Sequence, residues 1–201
     1  MNKFLSILVC LVSFGPVAFT LTGCSPVSPP VAYHSLAGFD LAQNPTGTQG
    51  QLAILVGPVS VPDILKSSQI ATGTTGGRYQ LSEQHRWAGE VNRDFSRAVG
   101  EQLAGSLGTE QIAIFPMGQH LTATHQIIFD ILTMEGDLGK EASLIVRWSL
   151  VEPQSKTVRI TRRSAFSEKP SDDGYDAWVT AQRHNITRLS EEIAAAIKAA
   201  P

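Results

Sequence analysis

The sequence predicts a single α+β domain: a mixed, mainly antiparallel sheet with two amphipathic helices packed on it. Three observations carry this. Two stretches, one mid-chain and one at the C-terminal end, repeat apolar residues at helical spacing. Between them, three long runs of alternating apolar residues are joined by short turns, the pattern of an antiparallel meander. A further apolar segment opens the chain and stands apart from the rest. With 201 residues and no internal repeat, the chain suits one core and no second domain.

The opening segment reads as an export signal. Lys3 supplies one positive charge, and Phe4 to Phe19 is apolar. That run is short for a spanning helix, and Pro16 weakens it further. It ends at Leu21-Thr22-Gly23-Cys24, an aliphatic residue and two small ones before a cysteine, which resembles a bacterial lipobox. On that reading Leu21, Thr22 and Gly23 are the signal-peptidase recognition residues and Cys24 is the lipidation site. Residues 1–23 are then a signal peptide, 24–32 an acylated cysteine with a proline-rich tether, and 33–201 the folded domain. Each buried acyl methylene contributes about 0.8 kcal/mol, so several chains hold a protein firmly. Prolines in Ser25 to Pro30 keep the tether extended. Ser25, where an Asp favours inner-membrane retention, is compatible with the outer membrane.

Removing residues 1–23 takes away Lys3 and no acid, shifting the formal charge from −2 to −3. A balance this mild offers nothing to nucleic acid. Of the two cysteines, Cys10 lies in the signal, so Cys24 has no disulfide partner in the mature chain.

The elements follow in order. Tyr33 to Phe39 contains a short first strand, and Asp40 to Gly50 is loop by composition. Leu52 to Val56 is a continuous apolar run ending at Gly57-Pro58, as in a strand buried on both faces. Val59 and Val61 alternate before Pro62, and Asp63-Ile64-Leu65 begins a helical turn. Ser67 to Ala71 and Arg78 to Ser82 read as strands around the glycine-rich Thr72 to Gly77.

Trp87, Val91, Phe95, Val99, Leu103 and Leu107 recur every four residues and predict the first helix, with Asp94 among the charged residues of its polar face. Gly108 supplies its stop. Gln111 to Phe115 is the next strand, ended by Pro116. His125 to Met134, Glu141 to Val151 and Thr157 to Phe166 form the meander, the first of them central because both its faces are apolar. Tyr175, Trp178, Gln182, Ile186, Leu189, Ile193 and Ile197 mark the last helix, with Asp172 or Asp173 as its cap. Two helices and six or so strands result, the helices on one sheet.

Several of these pieces occur together in one known family. They are the lipobox at Cys24, the segment Tyr33-His34-Ser35-Leu36, the stretch Ile54 to Leu65 with Pro58 and Pro62 four apart, and the Arg86-Trp87 pair opening the first helix. A Trp148-containing strand ending at Leu150 and the helix start Tyr175-Asp176-Ala177 complete the set. In this order they resemble the ABC-type transport auxiliary lipoproteins, the PqiC-like family. The resemblance covers most of the mature chain. It implies a non-enzymatic, membrane-anchored component of an ABC/MCE-type envelope transport system, with an MCE-domain periplasmic protein and its transporter complex as partners. Membrane lipid is met through Cys24, and a homo-oligomer is compatible. The candidate partner contacts are Arg86, Trp87, Pro58 and Pro62. A structural tether and an envelope-displayed hydrolase are the competing readings.

Catalytic and metal chemistry find little support, and no cofactor is expected. The five histidines, His34, His85, His120, His125 and His184, lack metal-ligand spacing. Gly77 is followed by Arg78-Tyr79, not the Lys-Ser/Thr of a phosphate loop, and no G-x-S-x-G elbow occurs. Asp130 reads as an edge or paired carboxylate. Arg159, Arg162 and Arg163 read as a solvated strand face, with lipid headgroups or an acidic partner as the functional alternative.

Overall fold

The computed structural model describes residues 29–38, 52–73, 77–116 and 122–199. The export segment, the Leu21 to Cys24 motif and the loop expected over Asp40 to Gly50 lie outside them.

Among the described residues, eight strands and two α-helices are formed: β1 (Ala32–His34), β2 (Ile54–Ser60), β3 (Gln69–Thr72), β4 (Gln80–Trp87), α1 (Val91–Leu107), β5 (Ile112–Ile114), β6 (His125–Glu135), β7 (Ala142–Glu152), β8 (Thr157–Glu168) and α2 (Tyr175–Ala199). A 3₁₀ turn over Asp63–Lys66 follows β2, as its sequence suggests. The strands divide between two sheets, a five-stranded sheet in the order β5-β2-β6-β7-β8 and a three-stranded one in the order β1-β4-β3. The fold is α+β as expected, with strands shared between two sheets where one was anticipated.

The meander β6-β7-β8 is antiparallel throughout, and β6 is central. On β7, Ala142, Leu144, Val146, Trp148 and Leu150 are buried in strict alternation and face the helices. Both helices cover that one face, α1 over β2 and β5 and α2 over β7 and β8, and they pack on each other. Helix α2 is pinned by buried amides: Gln182 donates to the carbonyls of Glu135 and Ser143, and Asn185 donates to that of Ala142 at 2.8 Å. Between the meander and α2, the Trp148 indole donates to Ser164 Oγ at 3.1 Å, and Ser164 donates to Glu192. These bonds satisfy polar groups that burial would otherwise penalise.

Helix α1 ends as read: Gly108 takes a left-handed conformation and its N–H bonds the Ala104 carbonyl. Its beginning differs. Trp87 is the last residue of β4, and the helix starts at Val91. Trp87 sits four residues before Val91, so the helical series continues backward across the strand end. Asp94 also departs from expectation. It is buried and accepts hydrogen bonds from Ser35 Oγ at 2.9 Å and from the Leu36 N–H. At the start of α2, Asp172 accepts the N–H of Gly174, one residue ahead of the helix.

A cleft at the carboxyl end of β4

Strand β2 is irregular midway along its length. Gly57 has φ +105°, the Gly57–Pro58 peptide is cis, and pairing with β6 shifts register between Val56 and Val59. Beyond the shift Val59 and Ser60 still pair with Phe129 and Asp130 of β6, and the strand ends at Ser60, so the chain leaves the five-stranded sheet at Val61. The 3₁₀ turn then places Leu65 beneath, and the Trp87 N–H donates to the Ser68 carbonyl at 2.7 Å. After Trp87, Ala88 donates to the His34 carbonyl at 2.8 Å, and Glu90 leads into α1.

These segments enclose a cleft of about 690 Å³ between the sheets, a volume in the range of small-ligand and peptide sites. Val59, Val61, Leu65, Trp87 and Val91 give it apolar walls, while Lys66, Ser67, Glu90 and Asn92 line its polar parts. Helix α1 opens here without a side-chain cap at Glu90. Trp87 is only 4% exposed and rests against Trp178, yet its indole nitrogen has no hydrogen-bond partner among the described residues.

The sequence candidates therefore partly converge. Trp87 lines the cleft, and so does the chain between Pro58 and Pro62. Pro58 itself is exposed on β2, Pro62 is half-buried ahead of the 3₁₀ turn, and Arg86 is half-buried beside Trp87; among the described residues, these three do not line the cleft. Leu21, Thr22, Gly23 and Cys24 lie outside the described residues.

A second cluster escaped the sequence reading. His34 Nε2 meets His85 Nδ1 at 2.9 Å, and His34 Nδ1 lies 3.3 Å from Asp176 Oδ1. His85 stacks on Tyr175 with ring centroids 4.1 Å apart. Burial holds His34 below the usual imidazole range; Asp176 opposes this, while His85 and Arg183 add to it. With Arg183 donating to the Ser35 carbonyl and Asp94 gripping Ser35 and Leu36, the chain after β1 is fastened to both helices. The partners lie 51 or more residues from His34 and Ser35, so no local pattern announces them.

Elsewhere, Asp130 pairs with Arg147 at 3.2 Å, as a paired carboxylate should. Of the basic run, Arg159 pairs with Glu152 at 2.9 Å and Arg162 with Glu192 at 3.6 Å. No group of three His, Cys, Asp or Glu able to hold a metal occurs among the described residues.

The model of one family, the ABC-type transport auxiliary lipoprotein component, matches residues 34–194. The chain belongs to that family. The matched region runs from the end of β1 into α2, so this auxiliary lipoprotein carries the cleft and the His34 cluster inside its family domain. Membership makes it a transport auxiliary lipoprotein associated with the cell envelope. It is 22% identical over 184 residues to the intermembrane transport lipoprotein PqiC of Escherichia coli strain K12, covering 92% of this chain and 95% of that one. The Shigella flexneri protein of the same name matches equally. Two solved structures share the fold. An uncharacterized protein superposes with a TM-score of 0.65 at 19% identity, covering 84% of this chain and 99% of that one. A Xanthomonas campestris protein gives 0.61 at 18% identity, over 82% and 90%.

Proposed function

We propose that this auxiliary lipoprotein is a non-enzymatic docking component of an envelope system that moves lipid between membranes. Its anchor is Cys24, acylated after removal of residues 1–23. Its place is the periplasmic face of the outer membrane, since Ser25 does not signal inner-membrane retention. Its partner is an MCE-domain periplasmic protein, whose conduit tip it receives. The name of the PqiC relatives, intermembrane transport lipoprotein, supports the transport role, and their coverage of nearly the whole chain supports carrying it over.

One observation carries the docking role: the Val59 to Val61 wall and Trp87, drawn from the two segments that bear the family resemblance, meet in one preformed apolar cleft. An apolar side chain of a partner seated there is removed from water, contributing about 25 cal/mol for each Å² buried. Tethering to a leaflet raises the effective concentration of such a site, so modest affinity suffices.

In-cell photocrosslinking tests this. A photoreactive residue at Gly89, where an added side chain meets open space, should trap an MCE-domain protein. Trapping of that protein from Val158, on the far sheet edge, but never from Gly89 would overturn the assignment of the cleft. Failure to trap it from any position would overturn the partner.

A further inference from the structure

Among the described residues seven large apolar side chains are exposed, and four of them, Val31, Tyr33, Tyr79 and Leu81, stand on or beside the three-stranded sheet. Tyr33 is 67% exposed, Tyr79 and Leu81 both 41%. The register explains how they relate. β1 runs parallel to β4 with Ala32 opposite His85. The chain preceding Ala32 therefore heads toward the N-terminal half of β4, where Leu81 lies, with Tyr79 just before it. Tyr33 itself stands level with Arg86, near Trp87, so Tyr79 and Leu81 are the apolar groups at the end toward which the domain releases its N-terminal segment.

The length of that segment limits where this side can go. Seven residues, Ser25 to Val31, separate Cys24 from β1. A chain spans at most about 3.3–3.6 Å per residue, and a proline-rich one about 3.1 Å, so the tether reaches roughly 25 Å or less. From this geometry, and resting on acylation of Cys24 as proposed above, we infer that the N-terminal end of the three-stranded sheet lies on the bilayer. Its occupant is the phospholipid headgroup layer of the leaflet that holds the anchor. Tyrosine suits that layer, with an apolar ring and a polar tip. The Tyr79 hydroxyl donates to Glu135, which keeps that ring in place at the edge of the patch. Arg78 and Glu83 are exposed alongside and Glu135 is held by Tyr79, so no excess of positive charge drives the contact and it persists at high salt.

This orientation sets the cleft at the other end. Trp87 closes β4 at its carboxyl end, and the strand from Leu81 rises by about 3.3 Å per residue. The cleft then opens away from the membrane, where a conduit arriving from the opposite membrane would meet it.

The test uses the full acylated protein in phosphatidylethanolamine–phosphatidylglycerol vesicles. Cys24 is the only cysteine left in the mature sequence and its sulfur is blocked by the lipid, so a single new cysteine labels cleanly. Variants L81C and R78C, with the controls Y33C, level with Arg86 near the cleft, and V158C, on the edge of the five-stranded sheet, carry an environment-sensitive fluorophore. Brominated lipids should quench the label at positions 81 and 78 several-fold more than at 33 or 158, in low and high salt alike. Vesicle-bound protein with equal quenching at all four positions, or strongest quenching at 33 or 158, overturns this orientation while leaving the anchor intact. Protein that does not float with the vesicles overturns the anchor, and this inference with it.

Discussion

The ring centroids of Trp87 and Trp178 lie 6.4 Å apart with their planes tilted by 47°, joining the end of β4 to the first turn of α2. Trp87 thus belongs at once to the core and to the wall of the cleft. Its truncation would damage both.

Trp87→Ala should lower stability by about 3–5 kcal/mol, the usual cost of deleting a buried tryptophan. Part of this is the aromatic pair, so in a double-mutant cycle with Trp178→Ala the two losses should fall short of additivity by about 0.5–1.5 kcal/mol. Denaturant unfolding of the soluble domain measures it. A loss below 1 kcal/mol would show that Trp87 is not core.

Gly89→Trp separates docking from folding. No atom lies within 4 Å of a Cβ placed there, and the position lines the cleft. The melting temperature should hardly move, while capture of the conduit partner from cells should fall sharply. Unchanged capture would remove the cleft from the interface.

The start of α1 shows where legibility in the sequence ended. Trp87 continues the four-residue series of Val91, Phe95 and Val99, yet His85 and Trp87 also alternate as a strand requires, and the strand prevailed because its ladder with β1 and β3 is bonded through Trp87. The meander and α2 were legible because their patterns are long and their partners are sequence neighbours. The division into two sheets was not, since β1 pairs with β4 and β2 with β5 in parallel across more than fifty residues. The cleft's two halves were visible as separate segments, but their meeting, like the Asp94 clamp, depends on such distant pairings.

Acidification should weaken the fold. His34 and His125 are both held below the ordinary histidine value of 6.5, His34 and His125 alike chiefly by burial. Below that value the unfolded chain binds more protons than the folded one, so stability falls as pH drops through about 6.5 toward the folded values and then levels. Glu101, raised by burial, acts in the opposite sense at lower pH. The urea midpoint should therefore be lower at pH 6 than at pH 7.5, and His34→Gln should flatten the difference. A midpoint that rises on acidification would contradict the burial of these imidazoles.

Gly136 joins β6 to β7 with φ +137°, and a Cβ there would stand 2.1 Å from the Glu141 carbonyl oxygen. Its own carbonyl accepts the Gly73 N–H at 2.8 Å, tying the two sheets together. Gly136→Ala should cost more than about 1 kcal/mol through strain and clash. Thermal unfolding within error of the parent would show that the turn adapts freely.

Replacing residues 1–24 by an export signal that is cleaved without a lipobox should leave the domain folded and release it from the membrane into the periplasmic fraction. Retention in the membrane, in cells lacking the conduit partner, would point to attachment by other means.

Docking, orientation and location all depend on the chemical state of the mature N-terminus. Intact-mass and peptide spectrometry of the protein extracted from its native membrane reads that state directly. The account predicts a chain whose first residue is Cys24, with acyl chains on its sulfur and amino group. A chain beginning at any other residue, or with a free thiol at Cys24, would contradict it.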